Sequence, residues 1–385
     1  MSEYIYADNA ATTKLDPDAF EAMKPFLCDD FGNPSQPYSF SRSAKKALKD
    51  ARETVAECIN ATPEEIIFTS GGTESDNWVV KEFANNTEER YIITSAIEHH
   101  AILNACASVE KSGAFVRYLG VSGEGVVSEQ ELRDQISSIR DKSVSQAPIL
   151  VSVMYANNEI GSIEPISELS RIAHDYGAIF HTDAVQAIGH IPVNVVENKI
   201  DYLSASAHKF NGPKGIGFLY KKRNLSINSH NDGGAQEFGL RAGTENIAAI
   251  VAMAVALKKN CRHILENERS IMECEHAFID RLKQSDVDFI RNGAKNRLPG
   301  CVSLSFRGED GESLLHRLDL KGIYVSTGAA CDSEKTQISH VLRSIHLEEE
   351  YAMGTIRISF GKDNTVEEAI RIADALISII LGKKP

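Results

Sequence analysis

Lys209 closes the run Ser204-Ala205-Ser206-Ala207-His208-Lys209, directly after the apolar pair Tyr202-Leu203 and before the turn Asn211-Gly212-Pro213-Lys214-Gly215. An ammonium at the end of a buried strand needs a partner or a route to water. The stem can snorkel and leave the charge in solvent. Alternatively, the amine can be consumed by an aldehyde, so that no buried cation remains. The second chemistry needs company, and the chain offers several candidates. Asp183, in His181-Thr182-Asp183-Ala184-Val185-Gln186, either caps a helix or holds a protonated pyridine nitrogen. His99, in Glu98-His99-His100, either stacks on a flat ring and moves protons or serves as a hydrogen-bonded structural histidine. His99 and His100 are adjacent, so their rings point apart, which argues against a shared metal. Asn157-Asn158 offers neutral amides or an Asn-rich turn. Ser70-Gly71-Gly72-Thr73-Glu74-Ser75 joins two glycines and a hydroxyl to a helix start, which makes either an anion cradle or a capped helix. It matches neither the dinucleotide nor the Walker pattern.

Each group needs an element to place it. Strand-like runs occur at Ile66–Thr69, Tyr91–Thr94, Phe115–Tyr118, Ile149–Val153, Ile179–His181, Tyr202–Ser204 and Gly217–Tyr220. Helical patterns lie between several of them, as at Glu74–Ala84, Ser128–Ser138 and Ser167–Tyr176. Upstream, Asp16 caps a helix over Pro17–Leu27, and Ser41–Asn60 is amphipathic. The alternation predicts an α/β fold with a mostly parallel, seven-stranded sheet, in which ligands sit beyond the carboxyl ends of the strands. The candidate groups follow successive strands in one order: a phosphate cradle, a ring stacker, an amide, an acid for a ring nitrogen and an amine for an aldehyde. Together they specify pyridoxal 5'-phosphate. Beyond them, Thr244-Glu245-Asn246 caps an Ala-rich helix through Lys259, and charged helical sequence covers Arg262–Gln284. Strand signals near Val302–Phe306, Ile323–Val325 and Ile356–Ser359 precede a last helix, Val366–Leu381. This part reads as a smaller α+β domain. The division expected is 15–258 for a large cofactor-binding domain, with 1–14 and 259–385 forming the small one.

Composition narrows the classes. A net charge of −13 leaves no broad basic surface for nucleic acid, so no direct nucleic-acid partner is expected. No window resembles a membrane span, and Met1-Ser2-Glu3-Tyr4 has no signal-peptide character, so no membrane partner is expected either. The seven cysteines are scattered without a C-x-x-C pair, which argues against a disulfide framework or zinc knuckle and for a reducing cytoplasm.

From about Tyr6 to Gly361 the sequence resembles the NifS/IscS-type cysteine desulfurases, which are fold-type I pyridoxal phosphate transferases of the class V aminotransferase group. The likeness rests on the cradle, histidine, amide, aspartate and lysine runs quoted above. It also rests on Ala7-Asp8-Asn9-Ala10-Ala11-Thr12-Thr13, Gly32-Asn33-Pro34-Ser35, Arg241-Ala242-Gly243-Thr244 and Ser326-Thr327-Gly328-Ala329-Ala330-Cys331. By resemblance, Lys209 is the Schiff-base lysine, and Gly72, Thr73, Ser206 and His208 hold the phosphate. Thr244 is a phosphate contact from a partner subunit, implying a homodimer. His99 stacks on the ring, Asp183 pairs with its nitrogen, and Asn158 and Gln186 contact its substituents. Arg357 resembles the clamp for the substrate carboxylate, a task that suits a planar fork. Cys331 matches the sulfur-accepting cysteine of the family branch with the longer loop. Ala329 stands where Ser is frequent, and Tyr38 where the family often has His. The implied reaction converts L-cysteine to L-alanine, placing the sulfur on Cys331 as a persulfide. The implied acceptor is a protein, such as an iron–sulfur scaffold whose cluster Cys331 could contact, or a carrier for tRNA thiolation. The chain ends soon after Leu381, without the longer tail some relatives use to dock a scaffold. Selenocysteine lyase, or another class V enzyme, is the alternative activity.

Overall fold

The computed structural model describes residues 4–85, 89–141, 147–327 and 338–382. In chain order the strands are β1 (Ile5–Tyr6), β2 (Ile66–Thr69), β3 (Tyr91–Ser95), β4 (Phe115–Leu119), β5 (Ile149–Ser152), β6 (Ile179–Asp183), β7 (Tyr202–Ser206), β8 (Gly217–Lys221), β9 (Phe289–Arg291), β10 (Cys301–Phe306), β11 (Ile323–Tyr324) and β12 (Thr355–Ser359). Seven of them form one sheet in the order β2-β8-β7-β6-β5-β3-β4. Only β8 is reversed: it pairs antiparallel with β2 and β7, and the remaining pairings are parallel.

Strands β2, β5 and β7 are buried along their whole length. A sheet covered on both faces demands this, and it explains why they read as continuous apolar runs. Side chains alternate between two cores. Ile66, Phe68 and Val151 face a core shared with the helices Pro17–Cys28, Arg42–Cys58 and Ile247–Arg262, through Ala19, Val55, Met253 and Leu257. Ile67, Ile92 and Leu150 face Trp78, Val79, Ile102 and Cys106 on the helices Gly72–Ala84 and His100–Glu110.

A second unit has an antiparallel sheet, β12-β10-β9, and a parallel pair, β1 with β11. Its core joins Ile5 and Ala7 to Phe278, Val302, Leu304, Ile356, Ile358 and Leu376. The first residues of the chain therefore complete a core whose other members lie hundreds of positions later. Asp16 ties this unit to the first. It caps the helix Pro17–Cys28 by accepting the Asp18 N–H at 2.9 Å, and it also accepts Lys259 Nζ at 3.0 Å and Lys362 Nζ at 2.8 Å. Burial opposes its ionisation, but the hydrogen bonds from Lys362 and Lys259 win and hold its carboxyl down to about 2.

Most element ends shift by one or two residues from the sequence pattern, and two helices show why. The helix after the cradle starts at Gly72 rather than Glu74, because its first turn carries no apolar stripe to announce it. The helix predicted over Ser128–Ser138 runs Glu129–Asp141, since Ile139 adds a further buried anchor.

Candidate active site

The lysine side of the pocket is built from strand exits. Lys209 ends the turn Ala207–Lys209 directly after β7. Its Nζ donates to Ala10 O at 2.6 Å and Ala11 O at 2.9 Å. Gln186 Nε2 donates to the same Ala10 oxygen at 3.0 Å. Asp183 is the last residue of β6 rather than lying beyond it, and is 5 % exposed. Its Oδ1 accepts the Val185 N–H at 2.9 Å. Burial raises its pKa above the usual carboxylate range, while His99 and Lys209 pull it back. A carboxyl in that state is one that a cation would bring to full ionisation.

His99 caps the helix His100–Glu110, with Nδ1 accepting the Ala101 N–H at 3.1 Å. Burial holds its imidazole below the usual pKa, with Lys209 and His100 adding to the effect and Asp183 opposing it. The ring is therefore neutral near pH 7, and with Nδ1 accepting, its proton sits on Nε2. Lys209 acts electrostatically on both His99 and Asp183, and those two act on each other, so the three charges lie within reach of one another.

The cradle lies beside them. The cap residue Gly71 supplies no side-chain hydrogen bond, so the first-turn N–H groups of Gly72–Ala84 lack a side-chain cap. Gly72 has no room for a side chain, because a Cβ there would sit 2.5 Å from Val185 Cγ2 and 3.8 Å from Ser206 Cβ. Thr73 is exposed at the same turn, and Ser206 is buried against it. His208 shares its Nδ1 with Thr12 Oγ1 at 3.1 Å, and burial, with Lys209 and Lys214 adding, lowers its pKa to about 4. It therefore acts as a neutral hydrogen-bonding group. Thr244 stands exposed in the segment before the helix Ile247–Arg262, and Arg241, three residues earlier, pairs through Nε with Glu74 Oε1 at 3.0 Å.

Sequence reasoning missed a layer of buried groups behind Asp183. His181 bonds Ser152 through Nδ1 at 2.8 Å and Ser204 through Nε2 at 3.0 Å. Burial lowers its pKa to about 3. Asp76 lies 3.7 Å from His181 Nε2. Its pKa is raised by burial and by Asp183. Glu98, beneath His99, is pushed up to about 8 by burial. Asp76 carried a readable signal: a carboxylate in a helix that otherwise buries Trp78, Val79 and Val80.

The opposite side is built differently. Of the two amides, Asn157 is structural: Nδ2 donates to Ile97 O at 2.9 Å, and Oδ1 accepts from Glu159 N and Ile160 N. Asn158 is half-buried, and its carbonyl accepts Arg357 Nη1 at 2.8 Å. Arg357 lies in β12, and its Nη2 donates to Asp8 Oδ1 at 2.7 Å. Its neighbour across an antiparallel bridge is Ser326, with Arg357 N donating to Ser326 O at 2.7 Å. Downstream, Ser339 Oγ donates to Glu159 Oε2 at 2.5 Å and His340 Nε2 bonds Glu98 O at 3.0 Å. Cys331 lies outside the described residues. Ser326 before it and Ser339 after it are held by Arg357 and Glu159.

The chain belongs to the class V aminotransferase family, whose pattern matches residues 5–372. Within it, the chain is 46% identical over 383 residues to the cysteine desulfurase IscS of Dictyoglomus turgidum, covering 99% of this chain and 95% of that protein. The solved NifS-like protein of Rickettsia africae superposes with a TM-score of 0.87 at 32% identity, covering 98% of this chain and 99% of that one. A structure described as SspA in complex with cysteine gives a TM-score of 0.81 at 33% identity, covering 93% and 99% of the two chains.

Proposed function

We propose that this protein is a pyridoxal 5'-phosphate-dependent cysteine desulfurase, converting L-cysteine to L-alanine and placing the sulfur on Cys331. The observation that carries this reading is the meeting of Lys209, Asp183 and His99 beside an uncapped helix start. When bound, the cofactor supplies an electron sink for the substrate Cα. The first-turn N–H groups of Gly72 and Thr73, with Ser206 and His208, would hold its phosphate. Asp183 would hold the ring nitrogen, whose positive charge would remove the cost of ionising a buried carboxyl. His99 would meet the ring as a neutral imidazole, and Asn158 and Gln186 would serve the ring substituents. Thr244, exposed in its own chain, reaches the cradle of a second copy in a homodimer.

Arg357 takes the substrate carboxylate, and Lys209 receives the Cα proton at Nζ. The Cys331 thiolate attacks the substrate sulfur. The carbon–sulfur bond breaks as the sulfur–sulfur bond forms, and the electron pair left on carbon takes a proton to give alanine. The persulfide passes to an acceptor protein serving iron–sulfur assembly or tRNA thiolation. The division into a large domain, 15–258, and a small one, 1–14 with 259–385, puts Arg357 and Cys331 on the small side. Free cysteines at 28, 58, 106, 261, 274 and 301 support a reducing cytoplasm as the compartment. Among the described residues, no helix is long and apolar enough to cross a membrane.

The test is a Cys331→Ser variant of the cofactor-loaded protein. The yellow cofactor colour and its response to L-cysteine should persist, while alanine formation and persulfide labelling collapse. Normal turnover by this variant would refute the role given to Cys331. A colourless protein that ignores pyridoxal phosphate would refute the whole reading.

A further inference from the structure

Asp8 takes no part in the steps above, yet it holds the one guanidinium assigned to the substrate. We propose that Asp8 is the positioning residue of the carboxylate clamp, and that the ribbon Asp8–Thr13 sets the span between Arg357 and Lys209. This rests on the reading of Arg357 as the carboxylate ligand.

Arg357 is 3 % exposed. Asp8 Oδ1 accepts its Nη2 at 2.7 Å, and Asn158 O accepts its Nη1 at 2.8 Å. Its Nε is buried and has no hydrogen-bond partner among the described residues. A planar group pinned at two nitrogens cannot turn, so the third N–H keeps one direction. A buried donor without an acceptor costs free energy, which the two bonds holding the guanidinium in place must offset.

The same ribbon continues to the lysine. Ala10 N donates to Ser359 Oγ at 2.9 Å, two residues along β12 from Arg357. The Ala10 and Ala11 carbonyls then receive Lys209 Nζ. Thr13 Oγ1 donates to His208 O at 2.8 Å. Tyr6 Oη closes the ribbon by donating to Thr12 O at 2.8 Å and Asp8 O at 3.1 Å. From Asp8 to Ala11 the chain spans at most about 11 Å, fully extended. The arginine partner and the lysine partner are therefore members of one short, internally bonded segment. An α-amino acid has its own fixed distance between carboxylate and amine. A clamp and an amine tied to one ribbon keep a constant separation of their own, which is what recognition of both groups requires.

The experiment compares L-alanine, which has both groups, with ethylamine, which lacks the carboxylate. Each is titrated into the cofactor-loaded full-length protein, and the dissociation constant is read from the cofactor absorption. In Asp8→Asn, L-alanine should bind about tenfold or more weakly, as expected when one partner of a buried ion pair is removed. Ethylamine should stay within about twofold, and KM for L-cysteine should rise more than kcat falls. Equal weakening of both amines, or no change for L-alanine, overturns the proposal. Arg357→Lys separates the two layers of the argument. If it leaves the preference for L-alanine over ethylamine intact, the clamp reading itself is wrong and the role of Asp8 falls with it. Asp8→Glu keeps the charge and should recover part of the affinity. It carries the same comparison should Asp8→Asn not fold.

Discussion

The lysine side and the arginine side of the pocket are assembled by different routes. On the lysine side, Asp183, Ser206 and Lys209 each end or follow a parallel strand, and Gly72 and His99 each start a helix. Side-chain placement there follows from the alternation of strand and helix, so each group stands close in sequence to the element that positions it. On the arginine side, Arg357 in β12 meets Asp8 and Asn158 from distant segments, and the Lys209 amine is the one lysine-side group that shares this pattern, meeting Ala10 and Ala11 across nearly 200 positions. In the function proposed above, the first framework would carry the chemistry that activates the substrate, and contacts between segments that only folding joins would select its carboxylate.

Substitutions on the two sides should therefore fail in different ways. The largest loss is expected for Lys209→Ala, which removes the amine assigned to the Cα proton: alanine formation from L-cysteine should fall at least about a thousandfold, consistent with loss of a positioned proton-transfer group. Asp183→Ala should lower kcat about a hundredfold or more, with KM far less affected, because the ring nitrogen loses its counter-charge. Arg357→Lys should show the opposite split, raising KM for L-cysteine about tenfold while kcat changes less. A fall in kcat alone in that variant would erase the distinction between the two sides.

Smaller effects test the framework through pH. Asp16 has its carboxyl held low by Lys362 and Lys259, so it binds fewer protons folded than unfolded. Its contribution to stability should be full above the unfolded carboxylate value near 3.8 and fade as pH falls towards about 2. Asp16→Asn should remove that acid-range slope from urea unfolding curves. Glu164 behaves in the opposite sense. Burial pushes it up to about 8, although Val127 N donates to its Oε2 at 2.9 Å, and Oε1 has no partner among the described residues. Folded, it keeps its proton from about 4.5 to 8 where the unfolded chain releases it, so stability should decline with rising pH across that window. Glu164→Gln should flatten the decline and raise the melting temperature at pH 8 by a few degrees.

The same contrast governs what could be read in advance. Seven strands of the large sheet were legible because each is an apolar run bounded by turn residues, and Asp183 and Lys209 were legible because a charged group stands at the end of such a run. Asn157 and Asn158 looked alike in sequence, and folding engaged the side chain of the first with its own loop and the main-chain carbonyl of the second with Arg357. The carbonyls of Ala10 and Ala11 could not be foreseen, since every residue has one and side-chain identity does not report which is aimed at a lysine. Asp76, Glu98 and His181 form a buried polar layer whose partners come from separate elements, Ser204, Ser95 and Ser152 among them.

By itself, the amino-acid order determined the kind of chemistry. It set an amine and an acid at successive strand ends and a glycine-opened helix for an anion, because local hydrogen bonding and apolar periodicity act over a few residues. Tertiary structure decided the spacing. The bonds that Asp8, Ala10 and Ala11 make to Arg357 and Lys209, the lowered pKa of His99 and the raised pKa of Asp183 depend on burial and on groups far apart in the chain, and those exist only once the two cores have closed around them.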